Sequence, residues 1–386
     1  MKKKSNEAQK SLSSKKKFAF TIVLILLLIF ITFLVAEIYI RLTKSYVNLW
    51  VVTGREVGID PKDKWALVDA FSAYKGRPGY YRKTKKTINK YGFISTPEIS
   101  VEKPENTIRV VFLGGSATAG GTGRNSTDEN TWPFIVTEIL KKNLKEKRIE
   151  FINAALGGYT TFESFGRLWS RVRFFSPDII VVYHGWNEMY YFNGKEADKI
   201  AYWRTLPDGS WGFHNASRRT IYEPHWIDFL IRHSQLLTKI RLRISKVHSE
   251  EISVSKELKN DYDKRGLEIF RTNLQLIKAA SSIFNVKLFV VKQATLIVPD
   301  LAEKDRERCH YDYHGFDHNA HVDAFNQIYR IIDEEIDSEN IIDATRLSGT
   351  SDYFYDHIHL TELGSKEIAK IVAKSLQSYL VALEEK

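Results

Sequence analysis

The chain has 386 residues, of which 43% are hydrophobic, and a formal net charge of +10. This length accommodates one large folded domain with additions, since domains usually span roughly 100–200 residues. The charge is concentrated in residues 1–17, which hold seven lysines and one acid and so carry +6, leaving +4 for the rest. A basic tail of this kind gives little support for nucleic-acid binding, and we expect no nucleic-acid partner.

Residues 18–36, FAFTIVLILLLIFITFLVA, form a run of nineteen positions without a charge. About 20 apolar residues cross the hydrocarbon core of a bilayer, so this run predicts a transmembrane helix. The alternatives are a buried core helix, which would carry a polar stripe, and a cleaved signal peptide, whose apolar region is usually about 7–15 residues long. The run is too long for a signal peptide, and Leu34 replaces the small residue expected before a cleavage site at Ala36. A retained signal-anchor is therefore the favoured interpretation.

The charges that flank this run predict its orientation. Seven lysines precede it, whereas only Arg41 and Lys44 follow closely, and positive charge marks the cytoplasmic side. The N-terminus is expected in the cytoplasm and the rest outside, in a periplasm, on a cell surface or in a lumen. Cys309 is the only cysteine, so no intrachain disulfide can form, and its position excludes a lipoprotein anchor behind the apolar run.

Beyond the run, residues 37–105 predict a stalk and lead-in segment, and residues 106–386 predict one α/β domain. Apolar, β-branched stretches predict strands at 108–113, 150–153, 178–183, 286–292 and 341–343. Helical spacing predicts helices at 132–147, 162–175, 262–284 and 361–380. Such an alternation implies a parallel sheet covered on both faces. Ligands bind these sheets at the carboxyl ends of the strands, so the chemistry is expected directly after the first three strands.

A glycine-rich turn, GGSATAGG, begins at Gly114 directly after the first strand. A phosphate-binding loop would need lysine where Gly121 stands, and an α/β-hydrolase nucleophile elbow would need glycine where Thr118 stands. The remaining interpretations are a nucleophilic Ser116 on a tight strand-to-helix turn, or a simple βα turn. This motif alone does not decide between them.

Three further motifs follow later strands: GGYT around Gly158, GWNE around Asn187, and DHIH from Asp356 to His359. In this order, the motifs resemble the four blocks of the SGNH (GDSL-like) hydrolase superfamily, specifically a membrane-anchored, extracytoplasmic branch. The resemblance covers about residues 89–376. Gly115 replaces the aspartate of the GDS block and Glu188 that of the GxND block, which leaves the subfamily open.

The resemblance implies a three-layer, flavodoxin-like fold with a central parallel sheet of about five strands. It implies a triad of Ser116, Asp356 and His359, an oxyanion hole formed by the backbone N–H groups of Ser116 and Gly158 and the side chain of Asn187, and neither a cofactor nor a metal. The chemistry agrees, since a serine hydroxyl needs an adjacent base, an imidazole needs an orienting group, and an oxyanion needs donors. Taken singly, Gly158 could be only a turn glycine, Asn187 a loop cap and His359 a surface histidine. Taken together, they favour catalysis.

Two regions remain outside these motifs. Four histidines lie within residues 310–321, but Gly315 argues against a regular helix that would gather them on a metal; the favoured interpretation is a loop that rims the site and binds a polar substrate. Residues 189–261 predict an insertion or lid, whose Trp203, Trp211 and Trp226 could stack on sugars or, as we favour, pack a small core of its own. Within the insertion, residues 226–248 predict an amphipathic lid helix, with a helix on the membrane surface as the alternative.

The leading functional hypothesis is a serine esterase, a carboxylic ester hydrolase, that acts on acyl esters through an acyl-serine intermediate. O-acetyl groups on an envelope glycan are the substrate expected for an outward-facing domain, so the expected partners are an acylated polysaccharide and the membrane, through residues 18–36. An O-acyltransferase using the same triad is the first alternative, because the sequence does not show whether water or a sugar hydroxyl accepts the acyl group. A non-catalytic envelope binding or assembly protein is the second.

Overall fold

A computed structural model of the chain describes residues 13–43, 66–69, 71–81, 85–120, 127–192, 234–244 and 258–384. Its centre is a five-stranded parallel sheet. In chain order, the strands are β5 Thr107–Gly114, β6 Arg148–Asn153, β7 Ile179–His184, β8 Lys287–Lys292 and β9 Ile341–Asp343. They lie side by side in the order β6-β5-β7-β8-β9, which is the strand order of flavodoxin-like folds. The predicted fold class is confirmed.

Helices cover both faces of the sheet. The helices of the described residues are α1 Ser14–Leu42, α2 Ser116–Ala119, α3 Trp132–Asn143, α4 Thr161–Ser170, α5 Gln235–Ile244, α6 Arg265–Ile283, α7 Glu303–Arg306, α8 His318–Glu335 and α9 Glu362–Glu384. Helices α3 and α9 pack against each other, and α6 packs against α4 and α8. The middle strands β5 and β7 are buried almost throughout, as their uninterrupted apolar sequences require when helices cover both faces.

Helix α8 begins within residues 310–321, so the prediction that this whole segment is a loop is wrong. After one short 3-10 turn at Tyr311–Tyr313, the helix begins at His318. Asp317 caps it, because its side chain accepts a hydrogen bond from the N–H of Ala320 at 2.8 Å, which satisfies a donor that the first turn leaves unpaired. Gly315, with a φ of 75°, only precedes this helix. His318 and His321 therefore lie on its first turn.

Two antiparallel hairpins precede the sheet in the lead-in segment. Strands β1 Ala66–Asp69 and β2 Ala73–Gly76 pair in the first, and β3 Gly79–Tyr81 and β4 Lys86–Ile88 pair in the second. Both belong to the stretch that the sequence predicted only as a stalk with turns. The boundaries predicted between stalk, insertion and hydrolase domain stay predictions.

Helix α1 is long and apolar enough to cross a membrane, and its most apolar window packs against nothing else in the described chain. It is a candidate for a membrane anchor or a signal sequence. Its last turns carry Glu37, whose carboxylate accepts hydrogen bonds from Ser234 Oγ at 2.9 Å, from the N–H of Gln235 at 3.0 Å and from that of Leu236 at 2.8 Å. Glu37 therefore caps α5, the described part of the predicted lid helix. The three insertion tryptophans lie outside the described residues.

Candidate active site

Ser116 occupies the first position of α2, two residues after β5 ends. The carbonyl of Gly115 accepts hydrogen bonds from the N–H groups of Thr118 and Ala119, which closes a tight turn around the serine. Gly115 has no room for a side chain, because a Cβ there would lie 2.5 Å from Asn187 Nδ2 and 3.0 Å from the carbonyl oxygen of Tyr159. Glycine at this position therefore leaves room for the Asn187 amide beside the serine turn.

His359 connects Ser116 to Asp356. Its Nε2 lies 2.8 Å from Ser116 Oγ, and its Nδ1 lies 2.7 Å from Asp356 Oδ2. The other oxygen of Asp356 accepts hydrogen bonds from the N–H groups of Ile358 and His359, at 3.0 and 2.9 Å, so backbone and side chain fix the carboxylate together. An ionised carboxylate accepts only. Nδ1 of His359 therefore carries the proton, and Nε2 faces the serine hydroxyl as an acceptor.

The electrostatics keep Asp356 ionised. Burial alone would raise the pKa of this carboxyl, but the hydrogen bond and charge of His359 and the nearby His357 hold it well below its ordinary value. All three side chains are partly open to solvent: 14% of the His359 side chain and 20% of that of Asp356 are exposed. A line of hydroxyl, imidazole and carboxylate that reaches the surface can transfer a proton from the serine while the serine attacks an ester.

The loops that carry Gly158 and Asn187, the other two residues of the predicted oxyanion hole, lie beside the serine turn. Gly158, in a turn with a φ of 79°, follows β6, and Asn187 follows β7. The side-chain amide of Asn187 donates a hydrogen bond to the Tyr159 carbonyl at 2.8 Å, which ties the two loops together beside Gly115. Among the described residues, the backbone N–H groups of Ser116 and Gly158 donate to no other protein group. Both remain available to an oxygen atom of a ligand.

A second line of serine, histidine and carboxylate lies beneath this site. Ser164 Oγ is 2.8 Å from His184 Nε2, and His184 Nδ1 is 3.4 Å from Glu188 Oε1. Ser164 and Glu188 are fully buried and only 3% of His184 is exposed. Burial lowers the pKa of His184 to about 3, so its imidazole is neutral. Glu188 also accepts hydrogen bonds from the N–H and the hydroxyl of Thr161, both at 2.8 Å. Glu188 thus anchors the first turn of α4 to the loop that carries Asn187.

The histidines predicted to line a substrate-binding loop are mostly buried. His314, His318 and His321 are each less than 10% exposed, whereas His310 is exposed, so a role of this segment in binding a polar substrate stays a prediction. His321 stacks on Trp186 with ring centroids 5.1 Å apart, and His357 packs on the same indole at 3.8 Å. Burial lowers the pKa of His321 to about 4 and that of His357 to about 3. These neutral rings pack against Trp186, the residue that precedes Asn187.

One group of side chains among the described residues has its ligand atoms close enough together to hold a metal ion. His310, Asp356 and His357 place ligand atoms within 4.8 Å of one another. Both oxygens of Asp356 already accept hydrogen bonds from His359 or from backbone N–H groups. A metal at this position would therefore compete with the line that connects Asp356 to Ser116.

Comparison with known proteins decides the family. The model of the GDSL-like Lipase/Acylhydrolase family matches residues 110–372, which include all but the first three residues of the sheet and every residue of the predicted site. The chain belongs to this family. It is therefore a serine hydrolase that acts on esters, as the four motifs predicted. A search of the curated proteins finds no match.

Solved structures that resemble the chain are distant in sequence. The acetyl xylan esterase AlAXEase shares 14% identity over 69% of this chain and 99% of its own, with a TM-score of 0.40. A catalytic mutant of Axe2, an acetylxylan esterase from Geobacillus stearothermophilus, shares 12% identity over 69% of this chain and 93% of its own, with a TM-score of 0.39. A lipase/acylhydrolase from Enterococcus faecalis shares 15% identity over 71% and 97%, with a TM-score of 0.39.

The sequence motifs predicted the residues that meet at this edge of the sheet, but not the contacts that support them. Ser116, Gly158 and Asn187 follow three adjacent strands, as expected, and Asp356 and His359 precede α9. The partners Ser164 and His184 were not predicted. Neither was Tyr74, which reaches the Gly158 loop from the first hairpin. Only His184, directly before the motif GWNE, carried a local signal.

Proposed function

We propose that the chain is a membrane-anchored esterase that removes acyl groups through an acyl-Ser116 intermediate, with O-acetyl groups on cell-envelope glycans as its substrates. The observation that carries the catalytic part is the hydrogen-bonded line from Asp356 through His359 to Ser116, with distances of 2.7 and 2.8 Å. These distances lie within the range expected of a nucleophile, its base and the group that orients the base.

In the acylation step, Ser116 Oγ attacks the ester carbonyl and its proton passes to His359 Nε2. The resulting imidazolium is stabilised by Asp356, which stays ionised. The negative charge on the former carbonyl oxygen is stabilised by hydrogen bonds from the N–H groups of Ser116 and Gly158 and from the Asn187 amide. When the tetrahedral intermediate collapses, the C–O bond to the alcohol breaks and His359 returns the proton to the leaving oxygen.

Deacylation repeats these steps with water. His359 takes a proton from the water molecule, the hydroxide attacks the acyl carbon, and the bond to Ser116 Oγ breaks as the serine recovers its proton. The products are a carboxylic acid and the free enzyme. If a sugar hydroxyl replaces water, the same steps transfer the acyl group instead.

The proposed location rests on the charge of the sequence. Seven lysines precede the apolar run and few basic residues follow it closely, which orients the catalytic domain away from the cytoplasm. An ester hydrolase held outside the membrane meets the acylated polymers of the envelope, and this location is the reason for favouring glycan O-acetyl groups. The same location would serve an acyltransferase.

The experiment uses the full chain in detergent. Turnover of p-nitrophenyl acetate and labelling of Ser116 by a fluorophosphonate are both expected, and Ser116→Ala should lose both. A folded wild-type protein with neither property would overturn the proposal in favour of a non-catalytic binding protein. Adding an acetylated glycan and a free glycan acceptor then separates hydrolysis from transfer, because a transferase acylates the acceptor faster than it releases acetate.

A further inference from the structure

The lead-in segment contacts the candidate site although it precedes the residues matched by the family. Lys86 Nζ donates hydrogen bonds to the carbonyls of Ala119 and Gly120 at the end of α2, at 3.1 and 2.6 Å. Thr96 Oγ1 accepts a hydrogen bond from the N–H of Asn153 at 2.8 Å, where β6 ends. Tyr74, on β2, donates its hydroxyl hydrogen to the carbonyl of Gly157. The lead-in segment is therefore in contact with the segments after β5 and β6, which carry Ser116 and Gly158.

Tyr74 makes the contact closest to the proposed oxyanion donors. Its side chain is fully buried and its ring meets that of Tyr159 edge-on, with centroids 4.9 Å apart. Tyr159 in turn donates its hydroxyl hydrogen to the backbone carbonyl of Tyr74. Reciprocal hydrogen bonds thus join the first hairpin to the Gly158 loop. A Cβ at Gly158 would lie 2.9 Å from the Tyr74 hydroxyl, so the two groups are in close contact.

The carbonyl that Tyr74 binds and the proposed oxyanion donor belong to one peptide unit. A trans peptide is planar, with its C=O and N–H pointing in opposite directions. A hydrogen bond that fixes the Gly157 carbonyl therefore also fixes the direction of the Gly158 N–H. Accepting a hydrogen bond also polarises the amide and makes its N–H a better donor.

This peptide needs such an anchor because it joins two glycines. Glycine populates both signs of φ with little steric cost, so a Gly-Gly peptide can rotate about its flanking bonds more freely than any other. Gly158 already has a φ of 79°, and a Cβ at Gly157 would meet nothing within 4 Å. Packing of side chains around Gly157 therefore does not restrain the peptide.

We propose that Tyr74 is a positioning residue for acyl transfer, whose hydroxyl holds the Gly157–Gly158 peptide in the orientation that presents the Gly158 N–H to the oxyanion. The proposal rests on the proposed role of Gly158. It assigns the support of one oxyanion donor to a hairpin that lies outside the family's matched region. Tyr74 itself does not touch the reacting atoms; it acts through the peptide that does.

The test compares Tyr74→Phe with Ser72→Ala in the full-length protein. Tyr74→Phe keeps the ring and removes only the hydroxyl. Ser72→Ala removes a buried hydroxyl of the same hairpin that donates to the Tyr74 carbonyl at 3.1 Å, and it leaves Gly157 untouched. For p-nitrophenyl acetate, kcat of Tyr74→Phe should fall roughly 10-fold to 100-fold. This fall is no larger than that caused by removing a whole oxyanion donor, which lowers kcat by about 10²–10³-fold. The KM of Tyr74→Phe should stay within about twofold, as should both constants of Ser72→Ala, because only transition-state binding is affected.

A reversible inhibitor separates positioning from general damage. A trifluoromethyl ketone adds to Ser116 and forms a tetrahedral oxyanion, so its inhibition constant should rise by the same factor as kcat falls. Counting active sites with a fluorophosphonate removes the contribution of any unfolded protein. Gly157→Ala should restore part of kcat in the Tyr74→Phe background, because alanine restricts the freed peptide.

The possible results distinguish this proposal from the proposed function. If wild-type protein is active and Ser116→Ala is not, while Tyr74→Phe keeps kcat and the inhibition constant within about twofold, then Tyr74 does not position the donor. A parallel loss in Ser72→Ala would also overturn the proposal, since it would show that the hairpin matters only for folding. Inactive wild-type protein would instead overturn the function itself.

Discussion

The protein contains two lines of serine, histidine and carboxylate, and their environments differ more than their geometry. In both, the serine oxygen lies 2.8 Å from an imidazole nitrogen. The line from Ser116 to Asp356 reaches solvent, has N–H groups beside the serine and holds its carboxylate at 2.7 Å. The line from Ser164 to Glu188 is buried, and its carboxylate is 3.4 Å from the imidazole and bound to Thr161.

This difference teaches that hydrogen-bond distance alone does not make a nucleophile. A reactive serine needs access for an ester, donors for the developing oxyanion and an imidazole that can take up a proton. The buried line has no access and its imidazole strongly resists protonation, because burial disfavours the charged ring. We interpret the buried line as structural: it joins α4 to β7 and the loop that follows, beneath the proposed oxyanion hole.

Exchanging each serine for alanine gives the largest expected effect. Ser116→Ala should lower kcat by at least roughly 10⁴-fold, since the other groups of a triad do little without the nucleophile. Ser164→Ala should keep kcat within a few-fold and should still be labelled by a fluorophosphonate. Steady-state kinetics and mass spectrometry of the labelled peptide measure both. Label found on Ser164 in the wild-type protein would contradict the division between the two lines.

Exchanging each carboxylate for its amide sharpens the comparison. Asp356→Asn should lower kcat by roughly 10³–10⁴-fold, because the amide favours the wrong tautomer of His359, and should change the melting temperature little. Glu188→Gln should instead cost about 1–3 kcal/mol of folding free energy, because the amide keeps one acceptor oxygen where the carboxylate accepts from both the N–H and the hydroxyl of Thr161. Urea unfolding and kcat per titrated active site measure the two effects. The reverse pattern would refute our assignment of function and structure.

The variant Asn187→Ala tests whether a nearby oxyanion donor is one reason why the Ser116 line is reactive and the Ser164 line is not. Asn187→Ala should lower kcat by about 10²–10³-fold with KM nearly unchanged, as expected when a donor acts mainly in the transition state. Melting temperatures provide the control, because the amide also donates to the Tyr159 carbonyl. If Asn187→Ala lowers the melting temperature as well as kcat but leaves the inhibition constant of the trifluoromethyl ketone unchanged, Asn187 only holds the loops together.

The last expected effect concerns stability alone and is the pH dependence that His184 contributes. Its pKa is about 3 in the folded protein and about 6.5 in an unfolded chain. Below pH 6.5 the unfolded state therefore binds a proton that the folded state does not, and stability falls as the pH drops from about 6.5 towards 3. The slope can reach about 1.4 kcal/mol per pH unit for one such group.

Urea unfolding between pH 7 and pH 4 measures this slope. His184→Gln should be less stable at pH 7 but should have a shallower slope, whereas Ser164→Ala keeps the imidazole and should retain most of the wild-type slope. The other buried histidines, including His357, contribute slopes of the same sign to all three proteins. Identical slopes in wild type and His184→Gln would show that His184 is protonated or accessible in the folded state.

The sequence predicted the sheet and the meeting of the site residues because both follow from local patterns. Apolar runs fix the strands, and a parallel sheet then gathers whatever follows them at one edge. Helix α8 was missed although its signals were present: Asp317 is a typical N-cap, and Ala320, Ala324 and Ile328 recur at helical spacing. Gly315 favoured a loop, but it lies two residues before the N-cap and does not interrupt the helix.

The supports of the site could not be predicted because they join distant parts of the chain. Tyr74 and Gly157 are 83 residues apart and Lys86 and Gly120 are 34 apart, and no periodicity links such pairs. The tight approach at Gly115 likewise depends on Asn187, which arrives from another strand. Sequence patterns identify which residues can perform chemistry, whereas the backbone and hydroxyl contacts that hold them depend on the complete tertiary structure.

The cap that Glu37 provides for α5 has a practical consequence for anyone preparing a water-soluble form. Glu37 is the first residue after the apolar run, so trimming the chain behind this run would discard or fray the turn that carries the carboxylate. The first turn of α5 would then lose its acceptor, at a cost of about 0.5–2 kcal/mol. Replacing the exposed apolar side chains of residues 18–36 with polar ones would spare that turn. The apolar helix should therefore be redesigned rather than cut away.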